Sequence, residues 1–85
     1  MISKIFYDVV NLINQSNLDY KMISEIKFFK SGRFDVYLSK GIIIKFPIKF
    51  NQKIIDYSSE LLNRKEFANS KVIDLRIKNK IIKYE

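Results

Sequence analysis

The spacing of hydrophobic residues switches between two periods along this chain, and that pattern constrains the fold more than any other feature. In the first part of the chain, hydrophobic residues recur at intervals of three or four positions: Ile2, Ile5, Phe6, Val9, Leu12 and Ile13. This spacing is typical of one face of an amphipathic helix. We therefore predict a helix over residues 2–14, ended by the polar run 15–17. Residues 18–23 are ambiguous.

From residue 24 the hydrophobic period is two, which is typical of strands with one buried face. A first strand is predicted over residues 24–30. A second covers 33–38, and a third covers 42–46 and ends at Pro47, because proline cannot donate to a sheet ladder. Gly41 lies in the turn between the last two, where we expect a positive φ. Residues 24–46 therefore predict a three-stranded antiparallel meander.

The second half of the chain repeats both periods. Asn51 is the predicted N-cap of a helix over residues 52–65, with Glu60 and Arg64 forming an i, i+4 ion pair on its exposed side. Alternating hydrophobic residues predict a fourth strand over 72–77. A tight turn at 78–79 then leads to a fifth strand that starts at Ile81.

These elements predict an α+β fold with the order α-β-β-β-α-β-β, in a single domain over residues 1–85. Two amphipathic helices and five strands bury their hydrophobic faces most simply as a two-layer sandwich. We therefore expect a mostly antiparallel, five-stranded sheet with both helices on one face. Phe6 is also expected to fill the core. The other predicted core residues are Ile5, Val9, Phe34, Val36, Ile44, Ile54 and Leu61.

The composition excludes most enzyme chemistry. The chain has neither cysteine nor histidine, so it lacks thiolate nucleophiles, imidazole bases and the usual zinc ligands. Its carboxylates show no spacing typical of acid–base pairs. We therefore predict no enzymatic activity, no cofactor and no metal site.

The net charge of +7 raises the question of an anionic partner. However, 13 of the 16 basic residues are lysines, whereas arginine is the residue that reads phosphates and bases by bidentate contacts. A lysine-coated surface is therefore the preferred interpretation. A small basic RNA- or ribosome-binding module is the alternative. No segment has the roughly 20 apolar residues that a membrane helix needs.

Three short motifs, in their order and spacing, resemble one known family. The first is the hairpin Gly32–Pro47, in which Arg33 precedes an aromatic residue and a glycine turn leads to a strand that closes in Phe-Pro. The second is the helix that follows it. The third is Val-Ile-Asp-Leu-Arg at 72–76, followed by a short return strand at 81–82. Together they resemble the C-terminal part of the extracytoplasmic β-domain of FtsQ/DivIB bacterial cell-division proteins, most closely the alphaproteobacterial ones. Ile77 departs from the pattern, because many relatives have an aromatic residue or proline there.

The resemblance implies a non-enzymatic scaffold of the divisome that recruits FtsB- and FtsL-like partners during septum assembly. It also implies a single-pass protein of the bacterial inner membrane, with this domain on the periplasmic side and with a cytoplasmic tail, a membrane helix, a POTRA domain and further strands before it. No nucleic acid partner is implied. In the family, FtsB docks near the last strand and partly adds a strand to its edge. Without those preceding strands, an exposed edge of the sheet also leaves pairing with a second copy open. The matching residues here are Arg76, Ile77, Ile81, Ile82, Lys83 and Tyr84.

Overall fold

The computed structural model describes residues 4–67, 69–77 and 81–84, without the side chains of residues 4, 5 and 84. The element order is α-β-β-β-α-β-β, so the predicted α+β class is confirmed. Two short 3₁₀ turns, Tyr20–Met22 and Lys65–Phe67, accompany the main elements. The helices are α1 (Lys4–Gln15) and α2 (Gln52–Leu62), and the strands are β1 (Ile23–Phe28), β2 (Phe34–Leu38), β3 (Ile43–Phe46), β4 (Val72–Asp74) and β5 (Ile82–Tyr84).

The five strands form one sheet in the order β1-β2-β3-β4-β5. β1, β2 and β3 form the predicted antiparallel meander. β3 and β4 are parallel, with α2 crossing over between them, and β4 and β5 are antiparallel. The sheet is therefore mixed but mostly antiparallel. Gly41 lies in the β2–β3 turn with a φ of 94°, as predicted, and its amide donates to the Leu38 carbonyl.

Both helices pack on one face of the sheet. Val9 of α1 and Leu61 of α2 belong to the same buried cluster as the inward side chains of β2, β3 and β4. Ile54 is half-buried against this cluster, and the side chain of Ile5 lies outside the described part of the chain. The predicted two-layer arrangement is confirmed. The predicted core residues that are fully buried are Val9, Phe34, Val36, Ile44 and Leu61.

The expected core position of Phe6 is wrong. The residue is 36% exposed. The ring lies 5.4 Å from that of Phe28, which is itself only half-buried on the edge strand β1. Phe6 therefore covers the rim of the core, because no further described strand lies beyond β1 to enclose it.

The second helix starts as predicted and ends earlier. The Asn51 side chain accepts a hydrogen bond from the amide of Ile54 at 3.1 Å, which confirms the N-cap. The amides of Asn63 and Arg64 each donate to a carbonyl three residues earlier, so the last turn tightens and α2 ends at Leu62. The predicted ion pair between Glu60 and Arg64 is present at 2.9 Å.

The predicted fourth strand over 72–77 is too long, because β4 ends at Asp74. The Asp74 carboxylate accepts a hydrogen bond from the backbone amide of Arg76 at 3.0 Å. A carboxylate that bonds the backbone two residues on replaces the extended conformation with a local turn. Arg76 and Ile77 therefore lie outside the sheet. The predicted turn at 78–79 lies outside the described residues.

Candidate protein-interaction edge

β5 is the last strand of the sheet and pairs with β4 alone among the described strands. It is only three residues long, Ile82–Tyr84. A strand with one neighbour presents backbone N–H and C=O groups along its other side, where a partner strand can bind.

The hydrogen bonds of β4 determine which backbone groups of β5 face the open edge. The amide of Ile43 donates to the carbonyl of Lys71, and the amide of Leu75 donates to the carbonyl of Lys45, each at 2.9 Å. Because successive residues of a strand bond to opposite neighbours, the odd-numbered residues here bond to β3. The even-numbered residues of β4 therefore bond to β5.

In the register of β4 and β5, Val72 pairs with Tyr84 and Asp74 pairs with Ile82. These are consequently the hydrogen-bonded pairs, and the backbone groups of Ile82 and Tyr84 point to β4. Lys83 lies between them. Its N–H and C=O therefore point away from β4, to the open edge of the sheet.

The side chains of this segment alternate between the two faces of the sheet. Lys83 pairs with Ile73, which is fully buried under the helices, so Lys83 also lies on the helix side. Its Nζ donates to the Glu66 carbonyl and lies 5.4 Å from the centroid of the Phe67 ring. Ile82 occupies the opposite face.

Ile81 precedes β5 and packs, half-buried, against the core cluster. Ile81 and Ile82 therefore differ in their surroundings, as two neighbouring residues at a sheet edge must. Only one of the two side chains reaches the helix layer.

A groove beside the ends of β3 and β4 brings together three of the six predicted site residues, Arg76, Ile77 and Ile81. Ile77 is 50% exposed, and Ile48, which lines the same groove, is 56% exposed. None of the described residues that line the groove is acidic. Its other lining residues are Arg33, Pro47, Lys49, Asn51, Ile54, Tyr57 and Leu75.

The outer face of the sheet carries a row of alternating charges. Lys27, Asp35, Lys45 and Asp74 lie in register on β1, β2, β3 and β4. Opposite charges directly across strands stabilise a pair by about 0.2–1 kcal/mol. Asp35 and Asp74 are only 4% and 3% exposed although they lie on the outer face.

An arginine covers each of these two aspartates. Arg33 Nη1 lies 2.6 Å from Asp35 Oδ1, and Arg76 Nη2 lies 2.6 Å from Asp74 Oδ2. Each pair is separated by one residue, and both arginines line the groove. The two ion pairs therefore hold two guanidinium groups at one end of the sheet.

The environment of Asp74 favours its charged form. The side-chain hydrogen bonds from Arg76 hold the pKa of Asp74 below its ordinary value of 3.8, although burial acts in the opposite direction. The backbone amide of Arg76 and the charges of Arg76 and Lys45 lower the pKa further.

The six predicted site residues thus divide between two adjoining surfaces. Arg76, Ile77 and Ile81 line the groove, whereas β5 carries the others; Tyr84 is described there only through its backbone pairing with Val72. Arg33 and Ile48 also line the groove and are not among the predicted site residues. The spacing Arg-x-Asp at 33–35, which mirrors Asp-x-Arg at 74–76, was the available signal for Arg33.

Comparisons with known proteins return no relative. No protein-family model matches the chain, and neither a curated protein nor a solved structure matches it. In the described part of the chain, no three histidine, cysteine, aspartate or glutamate residues form a group that could hold a metal ion. No helix among the described residues is long and apolar enough to cross a membrane.

Proposed function

We propose that this chain is a non-enzymatic scaffold domain of the bacterial divisome, similar to the C-terminal part of the β-domain of FtsQ/DivIB. Its role is to recruit FtsB- and FtsL-like partners on the periplasmic side of the inner membrane during septum assembly. One observation carries the proposal: β5, the strand that matches the family's docking strand, lies at the edge of the sheet, with the backbone of Lys83 directed outwards.

The mode of binding follows from the edge. A partner strand laid beside β5 accepts a hydrogen bond from the Lys83 amide and donates one to its carbonyl, which extends the sheet by one strand. The proposed contact requires no rearrangement of β1–β4. Ile82, on the outer face, is half-buried and offers apolar surface to the neighbouring side chain of an added strand.

The groove supplies a second contact for the same partner. Its cations are Arg33, Lys49 and Arg76, and its exposed apolar side chains are Ile48 and Ile77. A partner segment with apolar residues beside a carboxylate is complementary to this surface. The ion pair with Asp74 fixes the position of the Arg76 guanidinium, so its positive charge is placed in the groove before the partner arrives.

The alternative, an RNA- or ribosome-binding module, receives less support from the arrangement of the arginines. Arg33, Arg64 and Arg76 are each in an ion pair with a carboxylate of this chain. A guanidinium that is engaged in this way offers fewer N–H groups for bidentate contact with a phosphate or a base. The basic residues that are left to contact an anionic partner are therefore mostly lysines.

The decisive experiment compares two variants at one position. Lys83→Pro removes the outward N–H, and proline is tolerated on an edge strand whose N–H faces solvent. Lys83→Ala removes the same side chain and keeps the N–H. Affinity is measured by isothermal titration calorimetry against the extracytoplasmic segment of the FtsB-like protein of the same bacterium, and circular dichroism checks that both variants fold.

We expect the proline variant to bind about tenfold or more weakly than the alanine variant, because the partner's acceptor is left unpaired at a buried interface. Equal affinity of the two folded variants would place the docking site elsewhere. No binding of the unmodified chain, together with binding of RNA that falls steeply with salt, would favour the alternative. An apparent mass above that of one chain on size-exclusion chromatography would reveal pairing with a second copy.

A further inference from the structure

Lys83 has a side chain that is engaged within the chain and a backbone that points to the open edge. Its Nζ donates to the Glu66 carbonyl, which lies in the 3₁₀ turn that follows α2. The same ammonium lies 5.4 Å from the centroid of the Phe67 ring, and Phe67 is only 7% exposed. The side chain therefore links the edge strand to a segment that is anchored in the core.

This link matters because the backbone ladder between β4 and β5 is short. The strand has three residues, and only Ile82 and Tyr84 direct their backbone groups to β4. Strands with so few ladder bonds open locally at a low free-energy cost. A hydrogen bond and a cation–π contact from Lys83 oppose that opening.

We propose that Lys83 is a positioning residue for the docking edge: its side chain fastens β5 to the Glu66–Phe67 turn, so that its own backbone N–H and C=O are held ready for a partner strand. One residue thus provides both the anchor, on the helix side, and the binding groups, at the open edge. This inference rests on the proposed function for the identity of the partner. The fastening itself is a property of the isolated chain.

The role predicts a preorganised edge. A partner that binds an ordered strand avoids the entropy cost of ordering it, so the loss of the fastening weakens binding even where the partner never touches the ammonium. In this respect the side chain of Lys83 differs from that of Arg76. The guanidinium of Arg76 lies in the groove and is proposed to contact the partner directly.

The test uses three lysine variants. Lys83→Met keeps a long apolar stem and removes the ammonium, whereas Lys83→Arg keeps a cation and hydrogen-bond donors and should restore the behaviour of the unmodified chain. Lys30→Met removes one exposed positive charge from the β1–β2 turn, at the opposite edge of the sheet, and is the matched control for net charge.

Amide hydrogen exchange, followed residue by residue by NMR, is the first readout and needs no partner. We expect Lys83→Met to accelerate exchange at the amides of Ile82 and Tyr84 by roughly two- to tenfold. The amide of Val36, in the middle of the sheet, should be unchanged. Unchanged exchange at β5, or equal acceleration at Val36, would overturn the inference, because the first means no fastening and the second means a general loss of stability.

Affinity for the extracytoplasmic segment of the FtsB-like protein is the second readout. We expect a roughly two- to tenfold loss for Lys83→Met, recovery with Lys83→Arg and no change with Lys30→Met. Faster exchange with unaltered affinity would overturn the positioning role, and lower affinity with unaltered exchange would make Lys83 a direct contact instead. If the unmodified chain does not bind this segment, the proposed function fails, whereas the exchange data still decide whether Lys83 fastens the edge.

Discussion

Arg76 donates three side-chain hydrogen bonds to the carboxylate of Asp74. Its Nε lies 2.9 Å and 3.1 Å from the two carboxylate oxygens, and its Nη2 lies 2.6 Å from Oδ2. Because the backbone amide of Arg76 also donates to Asp74, the pair fixes the turn that ends β4. The same geometry therefore shortens a strand and orients a groove residue.

The lowered pKa of Asp74 makes part of the stability depend on pH. A carboxyl group whose pKa is lower in the folded chain stabilises the fold above its unfolded pKa, and this contribution is lost as the pH falls through the folded pKa. We expect the free energy of unfolding to decrease once the pH falls below about 4, because the ordinary pKa of this group is 3.8. Urea titrations between about pH 7 and pH 2.5 measure the drop.

Asp74→Asn should flatten that pH dependence. The amide still accepts from the Arg76 backbone but loses the charge-assisted bonds, at a cost of about 1–3 kcal/mol at neutral pH. Glu25→Gln, on the exposed side of β1, is the matched control for the loss of one carboxylate. An identical pH profile in Asp74→Asn and the unmodified chain would show that the ion pair contributes nothing measurable.

The register of β5 predicts that proline destabilises the fold at one of two adjacent positions and is tolerated at the other. Ile82→Pro removes an N–H that points to β4, so it should cost about 1–3 kcal/mol of stability and disrupt the strand. Lys83→Pro removes an N–H that points outward and should lower stability no more than Lys83→Ala does. Thermal unfolding of the three variants ranks them. If Lys83→Pro proved the most destabilising, the assignment of the hydrogen-bonded pairs would be wrong.

Leu61 should be a sensitive position of α2. Its side chain is fully buried in the cluster shared by both helices, so Leu61→Ala should cost about 2–5 kcal/mol. The neighbouring Leu62 is half-buried and provides a matched variant with a smaller expected loss. Urea unfolding followed by circular dichroism compares the two, and equal losses would refute the assignment of the buried face.

Replacement of the N-cap should weaken α2 by a smaller amount. Asn51→Ala removes the acceptor of the Ile54 amide and should cost about 0.5–2 kcal/mol, whereas Asn51→Asp should retain most of the stability. Thermal melts distinguish the two. A loss of the same size in both variants would mean that the side-chain bond to Ile54 is not what Asn51 contributes.

Periodicity predicted most of the fold because the buried faces dominate its energetics. The stripe that contains Val9, and the alternation of Phe34, Val36 and Leu38, both lie on buried faces. The fourth strand was predicted too long because Ile77 continues the alternation after the Asp74 side chain has already turned the backbone. The hydrophobic period does not reveal the competition between this side-chain hydrogen bond and the extended conformation.

The site was less predictable for two reasons. The order of strands determines which edge is open, and a period of two is the same for the parallel β3–β4 pair and the antiparallel pairs. The groove depends on residues that are distant in the chain, such as Ile48 and Ile77, which carry no common motif. Only the mirrored pairs at Arg33 and Arg76 gave a local signal.

The parallel pairing of β3 and β4 has a consequence for the order of folding. β1, β2 and β3 are joined by short turns, whereas β4 reaches β3 only after the chain has crossed over through α2. Contacts that close a longer loop form later, so we expect the Val36 amide to gain protection before the Tyr84 amide in pulsed exchange during refolding. Simultaneous protection would contradict this order. In the expected order, the edge at β5 is the last part of the sheet to assemble. A partner that binds this edge would therefore recognise only chains that have finished folding.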